Sequence, residues 1–395
     1  MCKFLFDVRV LHHRGYVAEV GLDLICGPIP TSGRSRFSLL ECGLRVVGSL
    51  MFLLLLVLAV APAEAANYRF PGNLPAGTTG GGGNYSIGAL TLNDGDIITV
   101  TSPTILNING AFTAGASVII NAAGVASDLK LIVAGTTDVG ANSNITANLT
   151  GVGVVTLGDV GSFTGNIKTE SAAVNVGANS TVNGSIASTV AGVVNVGPDS
   201  RVTGSINTLS GAVNVGANSR VDGSIFSALA GVVSLGAGAT VGGNITTTSG
   251  AVNIGASGKV VGFLLDTIAG AMTLGDSVTI GGGISTQAGA ITIGPNSTVG
   301  TSVCTGIAGA ITTNVNVRVG GNVTTNEGAI TIGGQNTIGG IVRAAIGAVT
   351  IDSSSKLGKA LSMLLCPVQS DDGAPVVVVR KQNIKSREWR QLFMR

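Results

Sequence analysis

The sequence is poor in aromatic and charged side chains. Its 395 residues include 10 Phe, 3 Tyr and 1 Trp, and only 11% are charged, against about 25% in an average globular domain. The net charge of +2 argues against a strongly basic nucleic-acid-binding protein, and the apolar content of 45% argues against intrinsic disorder. Glycine is abundant, with 61 residues, but it lacks the three-residue period of collagen. The composition favours an all-β chain or a repeat protein with an aliphatic core.

Histidine is nearly absent. The only two, His12 and His13, lie upstream of a segment with the features of a secretory signal peptide. Signal cleavage would leave a chain without histidine, which excludes Ser-His-Asp sites, Cys-His sites and His-ligated metal sites. We therefore expect that the protein is not an enzyme and that it needs no cofactor or metal ion.

Residues 44–65 contain the three parts of a signal peptide. Arg45 supplies the positive start, residues 46–61 form an apolar stretch, and an Ala-Glu-Ala cleavage signal ends at Ala65. Cleavage is predicted after Ala65; an uncleaved membrane anchor is the alternative, although the apolar stretch is short for a span of about 20 residues. Residues 1–43 are predicted to be a leader that results from a wrongly chosen start codon. We expect export to the periplasm, the outer surface or the extracellular space.

A repeat of 19–20 residues fills the middle of the chain. Each repeat has a register position, usually glycine, after a Val-x-Val-type motif, and the steps between register positions alternate between 20 and 19 residues except for the last step, which is again 19. The register positions are Gly177, Gly197, Gly216, Gly236, Gly255, Gly275, Gly294, Asn314, Gly333 and Asp352. A fixed period of this length is typical of a solenoid. The alternation of aliphatic and polar residues before each register position predicts a short strand with one buried face.

The repeat predicts an all-β fold: a single-stranded parallel β-helix, or β-solenoid, with about 19–20 residues per coil and two or three short strands in each coil. Four aliphatic columns are expected to face the core. In the first regular coil these columns are occupied by Val174, Val176, Val182 and Ile186. Identical aliphatic side chains stacked in thin coils leave no space for rings, which explains the scarcity of aromatic residues.

Three segments are predicted downstream of the signal peptide. Residues 66–139 form an N-terminal cap with degenerate coils, residues 140–359 form the regular repeats, and residues 360–395 form a basic tail that holds the only tryptophan. Two interpretations of the tail stay open. It binds an acidic partner, or it is the out-of-frame end of a longer gene.

Two polar columns are expected on the outer surface. The first, four residues after the register position, consists of Thr181, Arg201, Arg220, Thr240, Lys259, Thr279, Thr298, Arg318 and Thr337. The second, eleven residues after it, consists of Ser188, Thr208, Ser227, Thr247, Thr286, Thr305 and Thr325. Such ladders are candidate glycan-binding surfaces, and the cationic rungs argue against ice binding. Solvated polar faces are the simpler interpretation.

An apolar residue recurs every 39 residues at one corner of the predicted coil. These residues are Val190, Leu229, Ile268, Ile307 and Ile346, and we call them the apolar stripe. The first four lie in the longer links of the repeat, and Ile346 continues their spacing in a short link. Corner packing under a loop is one interpretation. A stripe that docks another rod or chain is the other.

Few residues are candidates for chemistry. Asp199 and Asp222 lie on adjacent coils and form the best acid–base candidate, although surface salt bridges with neighbouring arginines are the simpler interpretation. Asp94 and Asp96 are a candidate calcium contact or a polar turn.

Two cysteines, Cys304 and Cys366, remain downstream of the signal peptide. Cys304 is expected in an outward-facing column. The pair forms a disulfide that ties the tail to the last coils, or both cysteines stay as free thiols.

Two family resemblances are visible in these residues. The motif VNVGANSTVNGSI resembles the repeat of bactofilins, polymer-forming β-helix proteins. That resemblance implies a right-handed β-helix that polymerises end to end, although bactofilins are usually cytosolic and this chain has a signal peptide. The segment NYRFPGNLPAGTTGGGGNYSIGALTL at 67–92, with the repeats up to about residue 355, resembles the N-terminal region of MshQ-type proteins of mannose-sensitive haemagglutinin (MSHA) pilus loci. That resemblance implies a secreted surface protein; neither family brings catalytic residues.

These observations predict a secreted or cell-surface structural or adhesive solenoid, a spacer or assembly module associated with pili. Two alternatives stay open: a self-polymerising bactofilin-like scaffold, and a glycan-binding or polysaccharide-active β-helix. The expected partners are further copies of the chain, in end-to-end or lateral contact, pilus or cell-envelope components, or glycans. Nucleic acid is not expected as a partner.

Overall fold

The computed structural model describes residues 65–358 and two short strands further on, and it confirms the predicted β-solenoid. Three parallel sheets, here named A, B and C, run along one axis, and the chain visits them in the order C, A, B in every coil. In the first regular coil, Val174–Val176 lies in sheet C, Thr181–Asn183 in sheet A and Ile186–Ser188 in sheet B. Since paired strands lie about 4.8 Å apart, the 14 strands of sheet C span about 60 Å.

The strands are short, and each sheet stacks them in chain order. Sheet A consists of β1 (Asn67–Phe70), β5 (Ile97–Val100), β8 (Ile119–Ile120), β11 (Asn144–Thr146), β14 (Ser162–Thr164), β17 (Thr181–Asn183), β20 (Arg201–Val202), β23 (Arg220–Val221), β26 (Thr240–Val241), β29 (Lys259–Val260), β32 (Thr279–Ile280), β35 (Thr298–Val299), β38 (Arg318–Val319), β41 (Thr337–Ile338) and β44 (Lys356–Leu357). Sheet B consists of β2 (Thr79–Gly81), β3 (Asn84–Ile87), β6 (Thr104–Ile108), β9 (Leu129–Val133), β12 (Asn148–Gly151), β15 (Ile167–Thr169), β18 (Ile186–Ser188), β21 (Ile206–Thr208), β24 (Ile225–Ser227), β27 (Ile245–Thr247), β30 (Leu264–Asp266), β33 (Ile284–Thr286), β36 (Val303–Ala308), β39 (Val323–Glu327) and β42 (Val342–Ile346).

Sheet C consists of β4 (Leu90–Leu92), β7 (Phe112–Ala114), β10 (Thr137–Val139), β13 (Val155–Leu157), β16 (Val174–Val176), β19 (Val194–Val196), β22 (Val213–Val215), β25 (Val233–Leu235), β28 (Val252–Ile254), β31 (Met272–Leu274), β34 (Ile291–Ile293), β37 (Ile311–Thr313), β40 (Ile330–Ile332) and β43 (Val349–Ile351). A 3-10 helix, Ala126–Asp128, precedes β9. An antiparallel pair, β45 (Pro367–Gln369) and β46 (Pro375–Val377), lies outside the three sheets.

Four aliphatic columns form the core, as predicted. Strand pairing places Val174 next to Val194, Val182 next to Val202 and Ile186 next to Ile206, and these side chains are fully buried. Burial of such a side chain stabilises the fold by about 1.5–3 kcal/mol. Identical residues therefore stack on identical residues, and each coil needs its neighbours to complete the core.

Residues 66–139 contribute strands to the same three sheets, and their coils are irregular in length, since two of them are longer than the repeats. The strands of sheet C begin at residues 90, 112, 137 and 155, which gives coils of 22, 25 and 18 residues. This part of the solenoid contains buried rings. Phe70 and Tyr85 make an edge-to-face contact with ring centroids 5.1 Å apart, and Phe112, in β7, is also buried. β2 pairs antiparallel with β3 at this end of sheet B.

Several predictions concern residues outside the described part of the chain. Residues 1–64, which include the predicted leader and nearly all of the predicted signal peptide, lie outside it, as do residues 359–366, 370–374 and 378–395. Among the described residues, no helix has the length and apolarity required to cross a membrane.

Candidate functional site

The first polar column lies on the outer face of sheet A. Strand pairing puts Thr181 beside Arg201, Arg201 beside Arg220 and Arg220 beside Thr240. The same register continues through Lys259, Thr279, Thr298, Arg318, Thr337 and Lys356. Every rung is exposed or half-buried. The column is therefore a straight, accessible ladder with rungs about 4.8 Å apart, in which threonines alternate irregularly with cations.

Two rungs of this ladder are bound to one carboxylate. Arg201 Nη2 lies 2.6 Å from Asp222 Oδ2, and Arg220 Nε donates to the other carboxylate oxygen. Partial burial raises the pKa of Asp222. The hydrogen bonds and charges of Arg220 and Arg201 outweigh this effect and hold the pKa of Asp222 below its usual range. A general acid must keep its proton until the reaction. The arrangement therefore disfavours Asp222 in that role.

Asp199, the other half of the predicted acid–base pair, has a different partner. It occupies a left-handed turn position with φ 55°, and its Oδ1 accepts a hydrogen bond of 3.2 Å from Asn218. The salt bridges that the sequence suggested as the simpler interpretation are present for Asp222. The two aspartates are thus held by separate interactions.

The second polar column was expected on the outside, and this expectation is wrong. Its members are buried: Ser188, Thr208, Ser227, Thr247, Thr286, Thr305 and Thr325. The reason is the strand period of two, because each member lies two residues after a core aliphatic residue of sheet B and shares its inward direction. Their hydroxyls satisfy the backbone at the corner that follows: Gly192 N donates to Ser188 Oγ over 2.8 Å, and Thr208 Oγ1 donates to the carbonyl of Gly211 over 2.8 Å.

Asp266 occupies this buried column, and sequence reasoning missed its role. Its Oδ1 accepts hydrogen bonds from the backbone N–H groups of Gly270 and Ile268, at 2.8 and 3.1 Å, and its Oδ2 accepts one from Thr247 at 2.8 Å. Burial raises the pKa of Asp266, and these hydrogen bonds oppose the shift only in part. The signal that could have found it was its position, eleven residues after Gly255, in a column of serines and threonines.

The apolar stripe lies at the corner between sheets B and C, and its side chains are accessible. Their exposed fractions are 50% for Val190, Leu229 and Ile268, 44% for Ile307 and 65% for Ile346. The backbone at this corner is held by the next coil, since Ser210 Oγ donates to the carbonyl of Val190 over 2.8 Å and Ser249 Oγ to that of Leu229 over 3.0 Å. The stripe is thus a row of exposed apolar side chains, one on every second coil.

Cys304 was expected in an outward-facing column. Its side chain is nevertheless buried, with 2% of its surface exposed. Strand pairing does place it in the outer column of sheet B, beside Ser285, and its Sγ lies 3.4 Å from Ser285 Oγ. Leu265, in the same column, is also buried, and β45 lies close to β33. The outer face of sheet B is therefore covered at this point. Cys304 is disulfide-bonded; its predicted partner Cys366 lies outside the described residues, so that pairing stays a prediction.

Asp94 and Asp96 lie in one turn, and their carboxylates accept hydrogen bonds from backbone N–H groups of that turn and of neighbouring segments. Asp94 Oδ1 accepts from Ala116 N at 2.8 Å, and the two oxygens of the fully buried Asp96 accept from Ala66 N at 2.6 Å and Asn93 N at 2.8 Å. This is the polar turn that was one of the two interpretations. Across residues 65–358, no group of three His, Cys, Asp or Glu side chains is placed to hold a metal ion.

The comparisons with known proteins leave the family open. No protein-family model, no curated protein and no solved structure matches the chain. The resemblances to MshQ-type proteins and to bactofilins therefore stay predictions from the sequence.

Proposed function

We propose that the chain is an exported structural solenoid that acts as a stiff spacer or assembly module at a bacterial cell surface. The observation that carries this proposal is the unbroken stacking of parallel strands from β4 to β43 in sheet C, with matching stacks in sheets A and B. An extended stack with a continuous core resists bending, and it presents the same few side chains at regular intervals along its length.

The MshQ-like segment at 67–92 supports a place at the surface associated with pili. In the structure this segment provides the first strands of all three sheets, from β1 to β4. It therefore begins the solenoid and belongs to the same folded body as the repeats. The pilus association follows from the sequence resemblance alone and is part of the proposal.

Expression of the precursor in a bacterium, followed by cell fractionation and negative-stain microscopy of the purified protein, tests the proposal. We expect the protein in the periplasmic or surface fraction, and particles that contain a straight rod about 60 Å long, since stacked strands rise about 4.8 Å per coil. Retention in the cytoplasm would contradict the proposed export. Compact particles without a rod would contradict the spacer role.

The last coil favours self-assembly as a second candidate function. Val349 and Leu357 are 40% and 46% exposed, whereas their counterparts in the preceding coil, Ile330 and Ile338, are 0% and 1% exposed. Within the described part of the chain, the outer edges of β42, β43 and β44 pair with no further strand. Unpaired edges and exposed core residues are a template for another chain.

The double variant Val349→Lys/Leu357→Lys tests the second candidate. We expect the full chain to form end-to-end particles in micrographs and this variant to remain single. Val261→Lys is the matched control, because Val261 is 51% exposed and lies outside the last coil. Single particles at all concentrations for the unmodified chain would contradict self-assembly and leave the spacer function standing.

A further inference from the structure

Asp96 is a fully buried carboxylate whose ionic partner is missing among the described side chains. Its two oxygens accept hydrogen bonds only from backbone nitrogens, Ala66 N at 2.6 Å and Asn93 N at 2.8 Å. The ion pairs between described residues involve Asp222 and two arginines, and none of them involves Asp96. A buried charge is normally paired with an opposite charge. A cation at the position of Ala66 N would therefore supply the opposite charge that this carboxylate lacks.

Ala66 is the residue that follows the predicted signal-peptide cleavage point. Its carbonyl is also held, since it accepts a hydrogen bond of 2.8 Å from Ile97 N. The chain then enters β1, which pairs with β5 from Asn67 onward. Ala65, one residue earlier, is exposed. The fold thus fixes the chain from Ala66 onward and holds the nitrogen of that residue against Asp96.

Cleavage changes the chemistry of this nitrogen. Hydrolysis by a signal-peptide-cleaving protease adds one water across the Ala65–Ala66 peptide bond: Ala65 leaves with a new carboxylate, and Ala66 keeps a new amine, which takes up a proton. An amide with a single N–H becomes an ammonium with three N–H donors and one positive charge. The pairing with Asp96 then changes from a hydrogen bond to an ion pair, and charge-assisted hydrogen bonds are about twice as strong as neutral ones.

We propose that Asp96 is the docking site for the mature N-terminus, and that cleavage between Ala65 and Ala66 completes the first coil of the solenoid by creating the Ala66 ammonium. The inference rests on the proposed export. It assigns the cleavage point from the structure, since a cut one residue earlier or later would displace the ammonium from the buried carboxylate. It also makes the folded state more stable in the mature chain than in the precursor.

Protection of the N-terminal amine gives the first test. The precursor is exported and processed in a bacterial host, and the mass of the purified protein is expected to correspond to a chain that begins at Ala66. Its terminal amine is then acetylated with an amine-reactive reagent and quantified in the N-terminal peptide. We expect about tenfold slower labelling in the folded protein than in urea, because the ammonium is held against a buried carboxylate.

Two carboxylate variants provide the comparison. Asp96→Asn keeps the shape of the side chain and removes its charge, so we expect it to restore fast labelling. Asp94→Asn is the matched control, because Asp94 lies in the same turn and binds Ala116 N instead. A mature chain that begins at another residue, or equal labelling rates in folded and unfolded protein, would overturn the proposal.

A stability cycle gives a second readout that does not depend on labelling. Chains that begin at Ala66 or at Ala65 are prepared from cleavable fusions, each with and without the Asp96→Asn substitution. We expect Asp96→Asn to lower Tm more in the chain that begins at Ala66, because only this chain places its ammonium beside the carboxylate. Equal losses in both chains would contradict the docking. Since the fusions are made in the cytoplasm, this result is independent of whether the protein is exported.

Discussion

Side chains at the corner between sheets C and A show how single residues support the coil. The second residue after the register position adopts a left-handed conformation there, with φ between 53° and 58°. The residues in this column are Ser117, Asn142, Val160, Asn179, Asp199, Asn218, Ser257, Ser277, Asn296, Asn316 and Gln335. Asparagine and aspartate tolerate this conformation better than other non-glycine residues. The asparagine of the Gly-Ala-Asn-Ser turn at 177–180 therefore suits the conformation that the corner imposes.

Val160 is the β-branched residue among those named in this column, and replacing it should stabilise the protein. A β-branched residue at φ 58° is strained, and Val160 is 57% exposed, so its side chain gains little from packing. We expect Val160→Asn to raise the free energy of unfolding by about 1 kcal/mol, measured by urea denaturation. Val152→Asn, at a similarly exposed valine outside this column, is the control. An equal gain in both variants would show that strain at Val160 is not the cause.

Asp266 makes the stability depend on pH. Its pKa is raised in the folded state above its ordinary value of 3.8, so the folded state binds this proton more tightly than the unfolded state. Stability from this group is therefore present below about pH 3.8 and is lost as the pH rises through the raised value. Asp266→Ser places a serine at this position, and serine is the residue that occupies the same buried column two coils earlier, at Ser227.

We expect Asp266→Ser to remove this pH dependence. Its stability relative to the unmodified chain should be greater at pH 7 than at pH 4, measured by urea denaturation at both values. Asp222→Ser is the control with the opposite sign, because the pKa of Asp222 is lowered by its arginines and its loss should be felt more at pH 7. A constant difference for Asp266→Ser across the two pH values would contradict the argument.

At the scale of elements, the corners set how closely the coils approach. A glycine precedes nearly every strand of sheet C by two residues, and successive members of this column stack backbone on backbone. A Cβ atom on Gly211 would overlap the carbonyl oxygen of Gly192 in the preceding coil. The repeat therefore keeps glycine at this corner because a side chain would force adjacent strands apart.

Gly211→Ala should destabilise the solenoid. The added methyl meets backbone, which cannot move aside as a side chain does, so we expect a loss of about 2 kcal/mol, within the range for overpacked sites. Gly88→Ala is the matched control, because a Cβ atom there meets no atom within 4 Å. Thermal unfolding of the two variants separates the steric clash at Gly211 from the general effect of replacing a glycine with alanine. Similar Tm values in the two variants would contradict the steric argument.

At the scale of the whole solenoid, charge and apolar surface lie on different faces between residues 189 and 308, while Glu170 and Glu327 lie at the apolar corner on either side of this region. The ladder on sheet A carries Arg201, Arg220, Lys259, Arg318 and Lys356. No charged residue occurs at the corner between sheets B and C in the links from 189–191 to 306–308. The stripe residues occur there on every second coil, about 9.6 Å apart. At the stripe position itself the coils between them carry small residues such as Ser210 and Ser249, although Leu209 beside Ser210 is also exposed. An antiparallel second copy can place its apolar side chains over these smaller residues.

We therefore expect the stripe to support lateral association. Leu229→Lys/Ile268→Lys should abolish a reversible, micromolar self-association of the full chain in sedimentation velocity, because it places charges in an apolar contact. Val261→Lys, on another face and equally exposed, should leave it unchanged. Sedimentation of the unmodified chain as a monomer at all concentrations would contradict a docking role for the stripe.

The period of the sequence determined the fold and the core. A register glycine every 19–20 residues, with aliphatic residues at fixed offsets, is a local pattern, and strands alternate their side chains whatever lies next to them. Val174, Val182 and Ile186 could therefore be assigned to the core in advance, and all are buried. The second polar column could have been assigned inward by the same rule, because Ser188 lies two residues after Ile186.

Positions that depend on contacts between distant parts of the chain could be assigned from the three-dimensional arrangement alone. Cys304 has the strand parity of an exposed residue, yet it is buried because other parts of the chain cover the outer face of sheet B at that point. Asp96 and Ala66 are 30 residues apart and meet because one coil stacks on the next. Periodicity determines which way a side chain leaves its strand, and the packing of coils determines what that side chain then meets.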